Sequence, residues 1–248
     1  MDISDLELTR STAQRVNASA LALFAKKGFQ ATGIREIAEG ANMSSAALYH
    51  YMETKEHLLL GIMRHALAAW YVTTLRVVNG SQGAAEKLCN FVRSSVICTG
   101  LFKLESTVVD TEIRSLTGKN RIEIVAMRDR YEALIDEILC HGMADGTFDI
   151  ADARLFRLGI LEMCNGVSRW YSSSGRMSIE NVADELSDFS LAATRTTRSG
   201  KPVKRTMLRL QSSSEIVLVA VQCFDAQYTP INIEKSAAGS CAGDFTQE

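Results

Sequence analysis

Residues 15–59 read RVNASALALFAKKGFQATGIREIAEGANMSSAALYHYMETKEHLL, and their spacing decides the fold class. The first part has the repeat of a helix that packs one face on a core, because apolar side chains recur three and four residues apart at Val16, Ala20, Leu23 and Phe24. Gly28 ends this helix. A second short helix follows, and we predict that it is capped by Thr32, whose hydroxyl can accept hydrogen bonds from free backbone N–H groups.

A tight turn is predicted at residues 42–44. Asn42 tolerates the left-handed backbone that such a turn needs. Ser44 can cap a third helix over residues 45–51, and Thr54 can cap a long helix over residues 55–78. Two short helices joined by a turn of about three residues form a helix-turn-helix, which presents its second helix to the major groove of DNA. The pattern therefore predicts a three-helix DNA-binding domain over residues 1–54.

The predicted recognition helix carries small side chains where a helix must come close to the base edges. A serine hydroxyl can bond to either base of a pair, and an alanine methyl can contact a thymine methyl. The tyrosine and histidine side chains that follow suit phosphate oxygens, as does a lysine in the first turn of the next helix. The predicted DNA contacts are Thr32, Ser44, Ser45, Ala46, Ala47, Tyr49, His50, Tyr51 and Lys55.

This stretch resembles the DNA-binding domain of the TetR family of transcriptional regulators. The resemblance is carried by Phe24, Gly28-Phe29, Thr32, Ile37-Ala38, Ser44, Leu48-Tyr49, Tyr51, Lys55 and Leu58-Leu59. It implies that Thr32, Tyr49 and Lys55 bind phosphates. By the same resemblance, the residues facing the bases or the groove edge would be Ser45, Ala47 and His50.

The chain departs from the family pattern at two positions. Asn42 stands in the turn where the family usually has glycine, and Ala46 stands where the recognition helix commonly has glycine. The first change remains compatible with a positive φ. The second can alter how deeply the helix sits in the groove, so the family's base preference is not carried over.

The rest of the chain predicts an all-α fold. Its two prolines are Pro202 and Pro230, so no missing backbone N–H bars residues 1–201 from helix. Glycines divide the chain into helices at about 83–99, 103–115, 119–142, 151–172 and 178–194. We interpret residues 55–195 as a helical ligand-binding and dimerisation domain.

A homodimer is predicted from the last two of these helices. Apolar residues nearly circle the helix at 151–172, which indicates burial on one side by its own domain and on another by a partner subunit. With the helix at 178–194 it would form a four-helix bundle between two copies. The alternative is that both helices cover only their own core.

Two later segments, ALIDEILCHGMADGTF at 133–148 and ADARLFRLGILEMCNGVSRWYSSSG at 151–175, resemble the ligand-binding halves of TetR regulators of lipid, steroid and acyl-CoA catabolism. The resemblance implies a small hydrophobic effector, either a catabolite or its coenzyme A thioester. An apolar pocket with polar anchors would suit such a ligand, although core packing is the alternative role for each residue. The candidates are Trp70, Phe91, Phe102, Met127, Tyr131, Met163 and Trp170, with Asn165 or Arg169 as the polar anchors.

Residues 196–248 do not continue the helical pattern. The stretch 195–209 is basic, and we interpret it as a solvated linker; the alternative is that it adds sequence-independent affinity for DNA. A β-branched run from Glu215 to Phe224 follows, for which we expect a lone hairpin or no fixed structure. The appendage is therefore expected to be irregular.

Other classes of protein fit the sequence poorly. No nucleotide-binding, metalloprotease or hydrolase motif is present, so we expect no enzyme, no cofactor and no metal site. A net charge of -2 argues against bulk attraction to membranes, and the acidic N-terminus does not resemble a secretory signal. Six scattered cysteines without a C-x-x-C pair indicate reduced thiols in a cytoplasmic protein. The expected partners are double-stranded operator DNA, the effector and a second copy; the alternative is a helical protein-interaction module that does not bind DNA.

Overall fold

The computed structural model describes residues 12–198 and 200–225. The fold is all-α, as the sequence predicts, and its later helices lie close to the predicted ranges. The helices are α1 (Thr12–Lys27), α2 (Ile34–Gly40), α3 (Ser45–Leu48), α4 (Lys55–Asn79), α5 (Ala84–Leu101), α6 (Lys103–Thr111), α7 (Gly118–Ala144), α8 (Ala153–Trp170), α9 (Ile179–Ala193) and α10 (Ser213–Asp225). Short 3-10 turns lie at Ile113–Ser115 and Arg205–Met207.

Two hydrophobic cores are joined by one helix. The first core packs α1, α2 and α3 against the start of α4, with α6 and the start of α7 closing it; Phe24, Ile37 and Leu59 are fully buried there. The second core lies among the end of α4 and helices α5, α7, α8, α9 and α10. Because α4 belongs to both cores, it is the connecting helix between the N-terminal helices and the rest of the molecule.

The connecting helix is long and apolar enough to cross a membrane by length and composition alone. Most of its apolar side chains, from Leu58 to Val78, are nevertheless buried against other helices of the protein. This is the burial expected of a core helix.

Local signals define the start and end of the N-terminal helices. Ser44 and Thr54 cap α3 and α4 as predicted, since their hydroxyls accept from the backbone N–H groups of Ala47 and His57 at 3.1 and 3.0 Å. Asn42 has a φ of 56°, the left-handed conformation that the turn requires. Helix α3 ends at Leu48, three residues earlier than the sequence predicts, and residues 49–51 form a turn.

The predicted cap at Thr32 is wrong. Helix α2 is capped at Gly33, whose backbone N–H donates to the Glu36 carboxylate at 2.8 Å. The Thr32 hydroxyl instead donates backwards to the carbonyl of Gly28 at 2.8 Å, and this side chain is buried. Thr32 therefore closes the loop between α1 and α2 rather than starting the helix.

The expected irregular appendage is corrected for residues 213–225, which form α10. Ile216, Ala220 and Phe224 are spaced four residues apart and face α4 and α5; the first two are fully buried. Ser212 and Glu215 form a reciprocal capping box, because each side chain accepts the backbone N–H of the other, at 3.2 and 2.8 Å. The expectation for residues 226–248 lies outside the described residues.

A two-residue antiparallel hairpin precedes α10. Its strands are β1 (Thr197–Arg198) and β2 (Lys201–Pro202), with Thr197 opposite Pro202. The N–H of Thr197 donates to the carbonyl of Thr147 at 3.1 Å, and residues of the hairpin share a surface cleft with residues 83–86. The hairpin therefore lies near the C-terminal end of the connecting helix.

Candidate nucleic-acid interface and effector cavity

Helix α3 and the turn that follows it have a face that no other residue among 12–198 and 200–225 covers. Leu48 is completely buried and anchors the helix in the first core, whereas Ala46 and His50 are exposed. Tyr49 and Tyr51 are 59% and 46% exposed, which is unusual for aromatic rings without a partner surface. Two predicted contacts, Ser45 and Ala47, are half-buried at the edge of this face. The helix is thus held from one side and presents the other.

Lys55 has an internal role that the sequence does not reveal. Its ammonium group donates to the carbonyls of Phe29 and Thr32 at 2.7 and 2.9 Å and lies 4.3 Å from the centre of the Phe29 ring. Burial lowers the pKa of Lys55, and the nearby charge of Lys27 lowers it further. Lys55 therefore ties the start of the connecting helix to the loop between α1 and α2. Phosphate binding by Lys55 and Thr32 stays a prediction.

A cavity of about 100 Å³ opens among α4, α5, α6, α7 and α8. Of the nine predicted ligand contacts, Trp70, Tyr131 and Asn165 line it. Residues that the sequence analysis missed are mainly small polar side chains of α5 and α6 and charged side chains of α6, α7 and α8. They are Ser95, Cys98, Thr99, Ser106, Asp110, Arg128, Glu132 and Glu162, with the apolar Leu67, Val109, Leu158 and Leu161.

The other six predicted contacts lie outside the cavity lining. Phe91 is in the second core with its ring centre 5.4 Å from that of Tyr131, and Met163 packs against the same core. Met127 packs against the first core. Phe102 stacks on Phe224 with ring centres 3.5 Å apart. At the surface, Arg169 pairs with Asp110 at 3.1 Å and Trp170 is exposed.

The inner wall of the cavity is more polar than the sequence predicts. The Tyr131 hydroxyl bonds to those of Ser95 and Thr74 at 2.5 and 3.3 Å, and burial raises the pKa of Tyr131. The indole N–H of Trp70 is buried and has no hydrogen-bond partner among residues 12–198 and 200–225. Such an unpaired buried donor is unfavourable unless something else accepts from it.

Exposed apolar side chains lie on the two helices predicted to form the dimer interface. Leu155 and Leu158 on α8 are 64% and 48% exposed, and Phe189 on α9 is 63% exposed. Leu158 also lines the cavity. Large exposed apolar residues on neighbouring helices are typical of a surface that another protein covers.

The described part of the chain offers little for metal or thiol chemistry. Among residues 12–198 and 200–225, no group of three or more His, Cys, Asp and Glu side chains could hold a metal ion. The free thiols include Cys89 and Cys164, which are buried, and burial raises the pKa of each to about 12. These thiols are therefore poor nucleophiles.

Two family descriptions match the chain. Residues 18–62 match "Bacterial regulatory proteins, tetR family", and residues 81–194 match "Tetracyclin repressor-like, C-terminal domain". The solved structure of PfmR from Thermus thermophilus, described as a TetR family transcriptional regulator, is 30% identical with a TM-score of 0.67. It covers 72% of this chain and 97% of that one.

Two further proteins resemble this chain. The HTH-type transcriptional repressor KstR2 of Mycolicibacterium smegmatis is 26% identical over 170 residues, which are 67% of this chain and 82% of the relative. The fold is also shared with AibR, solved in complex with isovaleryl coenzyme A and operator DNA, at 24% identity and a TM-score of 0.67 over 72% of this chain and 97% of that one. Helix α3 lies within residues 18–62, and the cavity residues of α5, α6, α7 and α8 lie within residues 81–194. The chain therefore belongs to the TetR family of transcriptional regulators.

Proposed function

We propose that this protein is a cytoplasmic repressor that binds operator DNA as a homodimer and is released by a small acyl compound, carried as its coenzyme A thioester. The observation that carries the DNA-binding part is the exposed face of α3, a helix anchored by buried Leu48, with exposed Tyr49 and Tyr51 in the turn that follows it. The phosphate contacts would position the protein, and Ser45, Ala47 and His50 would face the bases or the groove edge. Two further predicted contacts, Thr32 and Lys55, hold the loop behind this face.

The cavity supports a short oxygenated effector. Its volume of about 100 Å³ is below the roughly 300–1,000 Å³ of sites that take drug-sized ligands. A short acyl group fits this space better than a polycyclic steroid does. The unpaired N–H of Trp70 needs an acceptor, which a thioester carbonyl would supply. Arg128, which also lines the cavity, is suited to a phosphate of the coenzyme.

The connecting helix gives a route from effector to DNA. Trp70 lies on α4, which starts at Lys55 beside the N-terminal helices α1, α2 and α3. A ligand that contacts Trp70 therefore acts on the helix that carries the DNA-binding helices. The half-sites of an operator lie about 34–36 Å apart, and a dimer whose recognition helices no longer match that spacing cannot bind both. A coupling of about 1–3 kcal/mol between the two sites would change operator affinity by roughly 5- to 150-fold.

A mobility-shift experiment tests this function. Duplex fragments covering the region upstream of the protein's own gene are expected to shift in its presence, and isovaleryl coenzyme A is the first effector probe. We expect the thioester to weaken binding at least fivefold, whereas free coenzyme A leaves it unchanged. A protein that shifts none of the fragments would instead favour a helical protein-interaction module.

The dimer is tested by charging its predicted interface. Leu158→Glu places a carboxylate on the exposed apolar face of α8. Because removing a carboxylate from water on association is unfavourable, we expect the dissociation constant of the dimer to rise at least tenfold. Ile122→Glu is the matched control, because Ile122 is an exposed apolar residue of α7, which is not one of the two helices predicted to form the interface. Analytical ultracentrifugation measures both. A wild-type protein that sediments as a monomer at micromolar concentration would contradict the dimer.

A further inference from the structure

The segment 205–225, which we name the strap, follows the last residue that the family descriptions match, residue 194. It contains the 3-10 turn and α10 and packs on the connecting helix α4 and on α5. The strap therefore contacts the connecting helix, which joins the DNA-binding helices to the cavity. The strap itself lies outside both family descriptions.

The first part of the strap is anchored by a buried arginine. Arg93 on α5 is 4% exposed and donates to the carbonyl of Gln211 at 2.6 Å and to the hydroxyl of Ser213 at 2.8 Å. It also pairs with Asp184 on α9 at 2.8 Å, and that carboxylate pairs in turn with Arg205 of the strap at 3.0 Å. These charge-assisted bonds fix where α10 begins.

At the end of the strap, the Phe224 ring lies among three other aromatic rings. The Phe224 ring stacks on Phe102, at the corner between α5 and α6, with centres 3.5 Å apart. The rings of His65 and Trp70, both on α4, have centres 5.5 and 6.4 Å from that of Phe224. The His65 Nε2 atom lies 2.9 Å from the carbonyl oxygen of Phe224, within hydrogen-bonding distance. Phe224 therefore bridges the middle of the connecting helix to the α5–α6 corner.

Trp70 has neighbours on two sides. It lines the effector cavity, and its ring also lies beside Phe224 of the strap. A ligand that displaces this ring would therefore also displace Phe224 of the strap. A loosened strap would in turn leave the connecting helix less restrained.

We propose that the strap positions the connecting helix and that Phe224 is the residue through which it does so. The proposal rests on the proposed function, since the position of α4 affects operator binding only if α1, α2 and α3 bind DNA. Without Phe224 the middle of α4 has more freedom, and that freedom must be lost when two recognition helices engage one operator. Operator affinity therefore falls even when the fold is intact.

The test compares three variants of the full chain. Phe224→Ala removes the ring, and Phe224→Tyr keeps it. Leu218→Ala is the matched control, because Leu218 lies on the same helix and is 57% exposed. Circular dichroism at 10 °C verifies that each variant is folded before any other measurement.

Hydrogen exchange and operator binding are then measured at 10 °C. We expect Phe224→Ala to speed amide exchange in residues 62–72 of α4 at least tenfold and to raise the operator Kd at least fivefold. Phe224→Tyr and Leu218→Ala should stay within twofold of wild type in both measurements.

Two results would overturn the proposal. One is exchange in α4 that matches the Leu218→Ala control, which means that the strap does not restrain the helix. The other is faster exchange with an unchanged operator Kd, which means that the strap only stabilises the fold. If wild-type protein binds no DNA, the proposed function fails, and the exchange measurement alone decides whether the strap holds α4.

Discussion

Replacing Ala46 with glutamate is expected to weaken operator binding at least 100-fold. Ala46 is exposed in α3, whereas Leu48 of the same helix is buried in the core. Ala46 therefore lies on the face of α3 that points away from the core. A carboxylate there meets the field of the DNA phosphates, and its bulk keeps the helix backbone from the base edges. A 100-fold loss corresponds to about 2.8 kcal/mol, at about 1.4 kcal/mol for each factor of ten.

The effect of Ala46→Glu should be on binding and not on folding. Glutamate is a good helix former, and neither the Ser44 cap nor the buried Leu48 side chain is altered. Ala133→Glu makes the same change of charge at an exposed position of α7 and serves as the control. Fluorescence anisotropy with labelled duplex at one fixed salt concentration measures both variants. An Ala46→Glu protein that binds within threefold of the control would show that α3 does not enter the DNA.

Arg93→Met is expected to lower the free energy of unfolding by about 1–3 kcal/mol, the typical loss when buried polar groups are left without a hydrogen-bond partner. Methionine fills part of the space but cannot donate. The Asp184 carboxylate and the carbonyl of Gln211 would then lose charge-assisted hydrogen bonds in a partly buried setting, although Asp184 keeps its pair with Arg205. Both the start of the strap and its junction with α9 would be weakened.

Urea denaturation at one fixed protein concentration measures this loss, since a dimer's stability depends on concentration. Arg209→Met is the control, because Arg209 is an exposed arginine of the same strap. We expect the control to change the free energy of unfolding by less than about 0.5 kcal/mol, as is usual for surface substitutions. An Arg93→Met protein as stable as this control would mean that water replaces the lost hydrogen bonds.

The N-terminal domain could be predicted closely because its signals are local. The turn at Asn42 and the caps at Ser44 and Thr54 act within a few residues, so the sequence alone contains them. The role of Lys55 could not be found in this way. Its acceptors are the carbonyls of residues 29 and 32, which are brought to it only by the packing of α1, α2 and α4.

The strap helix was missed although its signals are present in the sequence. The S-x-x-E pattern at Ser212 and Glu215 is a capping box, and Ile216, Ala220 and Phe224 have helical spacing. The β-branched residues between them favour a strand by propensity, but packing of this face on α4 and α5 outweighs that preference.

The candidate effector cavity could be predicted only in part because helix periodicity does not show what a buried face contacts. The connecting helix is apolar on most sides, so nothing in its sequence separates Trp70, at the cavity, from neighbouring core residues. On α5, the buried faces carry serines and threonines such as Ser95 and Thr99, which a search for aromatic and methionine side chains does not find. Aromatic residues at helical spacing were core packing at Phe91 and a strap contact at Phe102.

The β1–β2 hairpin lies far along the connecting helix from α3, and we expect this distance to limit its effect on DNA binding. The connecting helix has 25 residues and is therefore about 37 Å long, at about 1.5 Å per residue. The hairpin, with Arg198 and Lys201, lies near the far end of that helix, whereas electrostatic screening at physiological ionic strength acts over about 8 Å. We therefore expect the counterions released on DNA binding to come from contacts of the N-terminal helices, and the exposed side chains of Arg198 and Lys201 to lie outside the range of the DNA charge.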